Sequence, residues 1–189
     1  KQNNSIDKNK IIKLIKNHKL NKLLFFGMTD NVWDNLLEEL KENKIRFPKN
    51  NWYLIHGGGW KKLQNRSISK TKFINEVKKI TNVKKIFNYY GMIEQAGSIY
   101  MECEKGYFHS SIFSDILIRD KNLEIEKNER FGLIQTMSVL PISYPGHNIL
   151  TEDLGAIIGE DDCKCGRKGK YFSYLNRVKD AEARGCSNV

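Results

Sequence analysis

Stretches with helical periodicity alternate with short apolar runs up to about residue 105, and the alternation then stops. "SIDKNKIIKLIKNH" puts Ile11, Leu14 and Ile15 on one face behind a Ser5/Asp7 start signal. "TDNVWDNLLEELKEN" aligns Trp33, Leu36, Leu37 and Leu40 behind a Thr29/Asp30 cap, and "SKTKFINEVKKI" aligns Phe73, Ile74, Val77 and Ile80. Between and after them come "KLLFFG", "WYLIHGG" and "KIFNYYG", each closing on glycine. Helix then strand is the pattern of an α/β sheet with crossover helices. After Gly106 only strand patterns remain: "SDILIRD", "FGLIQTMSVL", "GAIIGED" and "KYFSYLNRV". The chain therefore predicts an α/β portion over 1–105 joined to a β-rich subdomain over 106–189, with a soft boundary near residues 103 to 110.

With 189 residues, 40% of them apolar, the chain can bury a sizeable core. No apolar run approaches the roughly 18 residues of a membrane span, and the polar start "KQNNSIDKNK" has no signal region, so no membrane span and a cytoplasmic location are expected. The net charge of +10 comes from lysines spread along the whole chain. Without a basic stripe interleaved with aromatics, it does not predict a nucleic-acid partner. Four cysteines without an export signal argue for metal binding or reactive thiols ahead of disulfides.

Three motifs carry chemistry. "LIHGGGWKK" sets Gly57, Gly58 and Gly59 after a strand, where backbone can approach a ligand closely or simply turn tightly. The dinucleotide and phosphate-loop glycine spacings are absent. "NYYGMIEQAG" ends a strand on Tyr90-Gly91, followed by Glu94; an aromatic there can stack on a base, and a carboxylate can hold magnesium beside phosphates. A core tyrosine and a helix-start glutamate are the plainer readings. "LTEDLG" reads as an acidic turn in which Asp153 can accept hydrogen bonds from sugar hydroxyls, or as an ordinary β-turn.

Cys103, His109, Cys163 and Cys165 offer three thiolates and an imidazole, a closed structural zinc set, and the C-x-C-G knuckle points two sulfurs inward. Unconnected reduced side chains are the alternative, although "DDCKCGRKG" is too polar for a core strand. Cys186, in "ARGCSNV", stands outside this set. His56 can touch a ligand or merely end its strand, and His147 reads as a turn residue.

Taken in order, the glycine loop, N-x-Y-G-x-x-E, T-E-D and "NRVKDAEARG" resemble the later motifs of the adenylate-forming superfamily. "HGGGWK", "YGMIEQAG", "SYPGHNILTEDLG" and "CKCGRKGKYF" resemble more closely the acyl-protein synthetase family of the LuxE type, from about Leu23 onward. The resemblance implies part of the large adenylate-forming domain, ATP and Mg2+ as cofactors, and activation of a fatty carboxylate as acyl-adenylate. It implies an acyl-accepting reductase or carrier protein as partner, as in bacterial bioluminescence. By the same resemblance Gly57, Gly58 and Gly59 line the acyl and adenine pocket, Tyr90 stacks on adenine, Glu94 binds magnesium, Asp153 holds the ribose and Arg177 contacts ribose or phosphate. Similar Cys and His positions in phenylacetate-CoA ligases support the zinc set.

Two departures stand out. Ile93 replaces the usual threonine before the glutamate, so its phosphate contact is either missing or supplied by Gln95 or a backbone amide. The serine/threonine/glycine-rich phosphate loop has no counterpart before Gly57, so the chain reads as the C-terminal half of a synthetase, with the N-terminal half missing. The family passes its acyl group to a cysteine near the C-terminus, which makes Cys186 the acceptor; the alternative is an unreactive residue at the hinge marked by Arg177 and Lys179-Asp180. A phenylacetate-type CoA ligase fragment and a non-catalytic zinc-stabilised binding module are the competing expectations.

Overall fold

The computed structural model describes residues 7–17, 22–49, 51–58, 68–142 and 145–179. They form two compact units, 1–88 and 89–189.

In the first unit, helix α1 (Lys8–Lys16) is capped by Asp7, whose carboxylate accepts from the Lys10 N–H. Strand β1 (Leu24–Met28) runs into a continuous helical stretch: α2 (Thr29–Asn31), a π-helical segment Val32–Leu37, and α3 (Glu38–Glu42). Strand β2 (Tyr53–Gly57) pairs parallel with β1, Met28 opposite Gly57, as a crossover helix between them requires. Helix α4 (Lys70–Thr81) starts at Ser69, whose hydroxyl accepts from Lys72 N–H, and stops at Asn82 in the left-handed conformation. The apolar face read from the sequence packs as expected: Phe73, Val77 and Ile80 of α4 meet Leu37, Leu40 and Leu54 in one buried cluster. The Thr29/Asp30 cap does not form. Met28 occupies the N-cap position without a side-chain bond, and Thr29 turns inward.

In the second unit every pairing is antiparallel. Strand β3 (Lys85–Tyr90) joins it through Tyr89 and Tyr90, which pair with β4 (Tyr100–Glu102). The order continues through β5 (Phe108–His109) and β9 (Lys170–Arg177) to β8 (Asn148–Glu160), β7 (Gly132–Ser138) and β6 (Ser114–Arg119). Because Tyr89 and Tyr90 are laddered to this sheet, 89–105 group with the β-rich part, whereas the sequence rhythm assigns them to the portion before 106. Tyr100, Ile116, Ile118, Ile134 and Phe172 form its core. The β8–β9 register shifts beside Gly155 and Gly159; a Cβ at Gly155 would overlap the Ser173 carbonyl, so only glycine fits there.

Candidate functional site

Three of the residues singled out in the sequence meet in the second unit. Asp153 lies opposite Arg177 in the β8–β9 ladder, so "LTED" is strand rather than the expected turn. Extended backbone here aims the Asp153 and Arg177 side chains to the same face of the sheet. Tyr90 ends β3 with its ring among Tyr100, Phe108, Phe172 and Tyr174, at centroid separations of 5.8–6.2 Å. Its hydroxyl donates to Asp153 Oδ2 at 2.8 Å. Arg177 Nε lies 3.6 Å from Asp153 Oδ1, and the other end of the guanidinium donates to Glu152 Oε2 at 2.6 Å. Burial first, and the Asp153 charge second, hold the Tyr90 phenol far above its ordinary pKa, so it remains a donor. Tyr174, beside the same two groups, is pushed up to about 12, again mainly by burial.

Glu94 sits exposed on a 3-10 turn, Ile93–Gln95. The turn is anchored by its neighbour: Gln95 is buried and its amide nitrogen donates to the carbonyls of Gly146 (2.9 Å) and Thr136 (3.4 Å). The Gln95 amide nitrogen, one of the alternatives for the missing threonine contact, is thus engaged with backbone carbonyls. Gly146 admits no Cβ, which would overlap the Glu94 carbonyl. Gly91 packs close to the Ser98 carbonyl, 3.1 Å from where its Cβ would lie. His147 is exposed on the turn after Gly146, as read from the sequence.

In the first unit, Gly57 closes β2 and Gly58 adopts φ +82°, the left-handed conformation that glycine tolerates. Gly59 lies outside the described residues. His56, 2% exposed, has Nδ1 at 2.9 Å from Thr29 Oγ1, and the same hydroxyl donates to the Gly57 carbonyl at 2.9 Å. A hydroxyl has one proton, so with that proton on Gly57 O the His56 Nδ1 must carry its own and donate to Thr29. Burial, then the nearby Lys70 charge, lowers the His56 pKa to about 4 and keeps the ring neutral. Sequence reading missed Thr29, because a threonine at a helix start looks like a cap.

The expected metal set assembles. One ligand atom from each of Cys103, His109, Cys163 and Cys165 lies within 4.8 Å of the others. Two turns of matching form supply the thiols: Gly106 N–H donates to Cys103 O and Gly166 N–H to Cys163 O, both at 2.9 Å, with both glycines at φ +84°. Backbone N–H groups two residues on, at Lys105 and Arg167, each donate to a cysteine sulfur at 3.4 Å. Such amide–sulfur bonds stabilise thiolate charge. Tyr171 stacks on the His109 ring at 5.5 Å. Burial, then Arg167, lowers the His109 pKa, which favours the neutral, ligating form. Burial pushes the Cys163 thiol up to about 11; at Cys165 the Arg167 N–H and bonds to the other thiols outweigh the same effect and lower it. The donor set and geometry fit a tetrahedral zinc ion.

Cys186 lies outside the described residues, as does Asp180 of the expected hinge; Lys179 is exposed. Among the described residues no helix is long and apolar enough to cross a membrane.

A family model described as "Acyl-protein synthetase, LuxE" matches residues 6–189. The long-chain-fatty-acid–luciferin-component ligase of Vibrio harveyi is 27% identical over 139 residues, covering 71% of this chain and 35% of the relative. The chain thus spans about a third of that relative's length. Among solved structures, 2-hydroxyisobutyryl-CoA ligase in complex with its acyl-AMP and CoA superposes with TM-score 0.69 at 17% identity, over 90% of this chain and 36% of that one. O-succinylbenzoate-CoA synthetase of Bacillus subtilis, in complex with ATP and magnesium, gives 0.56 at 14% identity, over 95% and 37%. The chain shares the fold of the matching third of these two ligases.

Proposed function

Because the chain belongs to the acyl-protein synthetase family of the LuxE type, we propose that it supplies the nucleotide-holding and acyl-transferring part of a ligase that activates a fatty carboxylate with ATP. The observation that carries this reading is the Tyr90–Asp153–Arg177 constellation, an acceptor carboxylate flanked by a phenol and a guanidinium. Asp153 accepts the ribose hydroxyls, Arg177 faces ribose or phosphate, and Tyr90 and Gly91 border the purine; the family resemblance assigns nucleotide and acyl contacts to Gly57, Gly58 and Gly59 as well. The substrate carboxylate attacks the α-phosphorus, the bond to the β-phosphate oxygen breaks, and pyrophosphate leaves. A thiolate then attacks the acyl carbon and releases AMP, leaving a thioester; Cys186 is the thiol proposed for this step. Bound at Glu94, Mg2+ would neutralise charge on the phosphate oxygens. Most of the remaining catalysis is positioning.

The phosphate-gripping loop would come from polypeptide corresponding to the remaining length of the relatives. A zinc ion held by Cys103, His109, Cys163 and Cys165 has a structural role, since four protein ligands leave no open position. The final acceptor is a reductase or carrier protein.

The test mixes the chain with ATP, radiolabelled fatty acid and the co-expressed product of the upstream reading frame, followed by hydroxylamine treatment of the labelled protein. Hydroxylamine-labile label that disappears in Cys186→Ser supports the scheme. Label that survives Cys186→Ser excludes the acceptor role, and absence of both acyl-AMP and label refutes the activity.

A further inference from the structure

One stretch of the second unit lacks charge in a chain otherwise rich in it. Residues 131–151 contain no Asp, Glu, Lys or Arg, although these make up 29% of the sequence. Within that stretch Val139 is 72% exposed and Ile142 95%, and beside it Ile112 is 93% exposed. Val139 N–H donates to the Phe113 carbonyl at 3.0 Å, which carries the β6–β7 pairing one step beyond Ser114 and Ser138. Ile112 and half-exposed Phe113 therefore lie alongside Val139 and Leu140. A Cβ at Gly97 would lie 3.7 Å from that of Leu140, so the segment 97–99, with half-exposed Ile99, borders the same face. Gly97 follows the Ile93–Gln95 turn, and the face thus flanks the loop that carries Glu94. Apolar residues scattered over a surface are ordinary, whereas a contiguous uncharged group of this kind marks an interface.

We propose that this face docks the remainder of the synthetase, the polypeptide that corresponds to the part of the relatives lying outside the region they share with this chain. In the Vibrio harveyi ligase the shared region is 35% of the length, and in 2-hydroxyisobutyryl-CoA ligase it is 36%. In both, the counterpart of this chain is one portion of a much longer polypeptide. A portion of a larger fold leaves bare the apolar side chains that the rest covers. The occupant presents an apolar surface in turn, because a charge set against Ile112 or Ile142 would lose its water without gaining a partner. The inference rests on the reading of the chain as part of a carboxylate-activating ligase and adds to it the surface where the parts join. Docking there sets the added polypeptide, with its phosphate-gripping loop, beside the loop that carries Glu94.

The experiment co-expresses the full 189-residue chain with the polypeptide encoded immediately upstream of it and measures their association by sedimentation velocity and titration. A one-to-one complex is expected. Ile112→Asp and Val139→Asp should each weaken it at least about tenfold, the effect of withdrawing one apolar side chain from burial. Leu123→Asp, at an exposed apolar position in the turn beyond the other end of β6, should leave it unchanged. Melting temperatures equal to that of the parent chain check that the variants fold; should Ile112→Asp melt lower, Ile142→Asp takes its place. No complex with the unaltered chain, equal affinity for all variants, or as large a loss in Leu123→Asp as in Ile112→Asp overturns the proposal. So does a dimer of the chain alone that Ile112→Asp dissolves, since a second copy is then the occupant. Acyl-AMP formation is assayed separately on the purified complex: a complex that forms through this face and makes no acyl-AMP supports the docking surface and refutes the ligase reading.

Discussion

Cys165 Sγ lies 3.4 Å from His109 Nε2, although 56 residues separate them in the chain. That approach closes the β4–β5 hairpin onto the β8–β9 turn, and two further thiols complete the set. Purified protein should carry one zinc per chain by elemental analysis, and Cys165→Ser should lose most of it. Chelation should lower the melting temperature by about 10 °C, the effect of about 3 kcal/mol for a chain of this size. Zinc-free protein of unchanged melting temperature would remove the metal from the account.

The Thr29 hydroxyl serves two partners at once, the His56 ring and the Gly57 carbonyl. Thr29→Val keeps the shape and strands both in a buried site, so it should destabilise by about 1–3 kcal/mol in urea unfolding. Thr29→Ser, which keeps the oxygen, should cost less. Equal costs would show that the methyl group, not the hydroxyl, matters.

Burial of neutral His56 makes stability depend on pH. Its pKa falls from 6.5 to about 4 in the folded state, so the unfolded chain binds the proton more readily. The stabilisation is complete above pH 6.5, declines as pH falls from 6.5 towards 4, and amounts to about 3 kcal/mol. Unfolding free energies at pH 7 and pH 4.5 should differ more in the wild type than in His56→Gln; an identical difference would assign the slope to other groups.

Two glycines should separate crowding from backbone conformation. At Gly155 a Cβ meets the Ser173 carbonyl and the Ile134 side chain, whereas at Gly166, φ +84°, nothing lies within 4 Å. Gly166→Ala should cost about 1 kcal/mol through its left-handed conformation alone, and Gly155→Ala should cost more, about 2–4 kcal/mol, by forcing β8 from β9. The reverse order in thermal melts would contradict the crowding between β8 and β9 at Gly155.

Much of this architecture is legible in sequence where periodicity is strong. The faces of α1 and α4 and the runs that became β1, β2, β6, β7 and β9 follow directly from residue spacing. What escapes is tertiary. "LTED" has the composition of a turn, but pairing with β9 draws it into β8, since ladder bonds outweigh the local preference of Glu and Asp. The short strands β4 and β5 are too brief to show a period. The clustering of Cys103, His109, Cys163 and Cys165 was readable because cysteine and histidine have few other reasons to gather in polar sequence; the Thr29–His56 pair was not, because a threonine bonded to a distant ring has no local signature.

Glu94 contributes its carbonyl to the crowding at Gly146, but its carboxylate is not what anchors the turn; Gln95 does that. Holding the loop thus falls to Gln95, and only the charge proposed to meet magnesium falls to Glu94. A duplicated copy of this gene could exchange Glu94 for another polar residue and still fold, melt and purify like its parent. Under the proposed role of Glu94, retention of the shape is a poor proxy for retention of the chemistry, and any relative with Gln95 and Gly146 in place must be judged by the side chain at position 94.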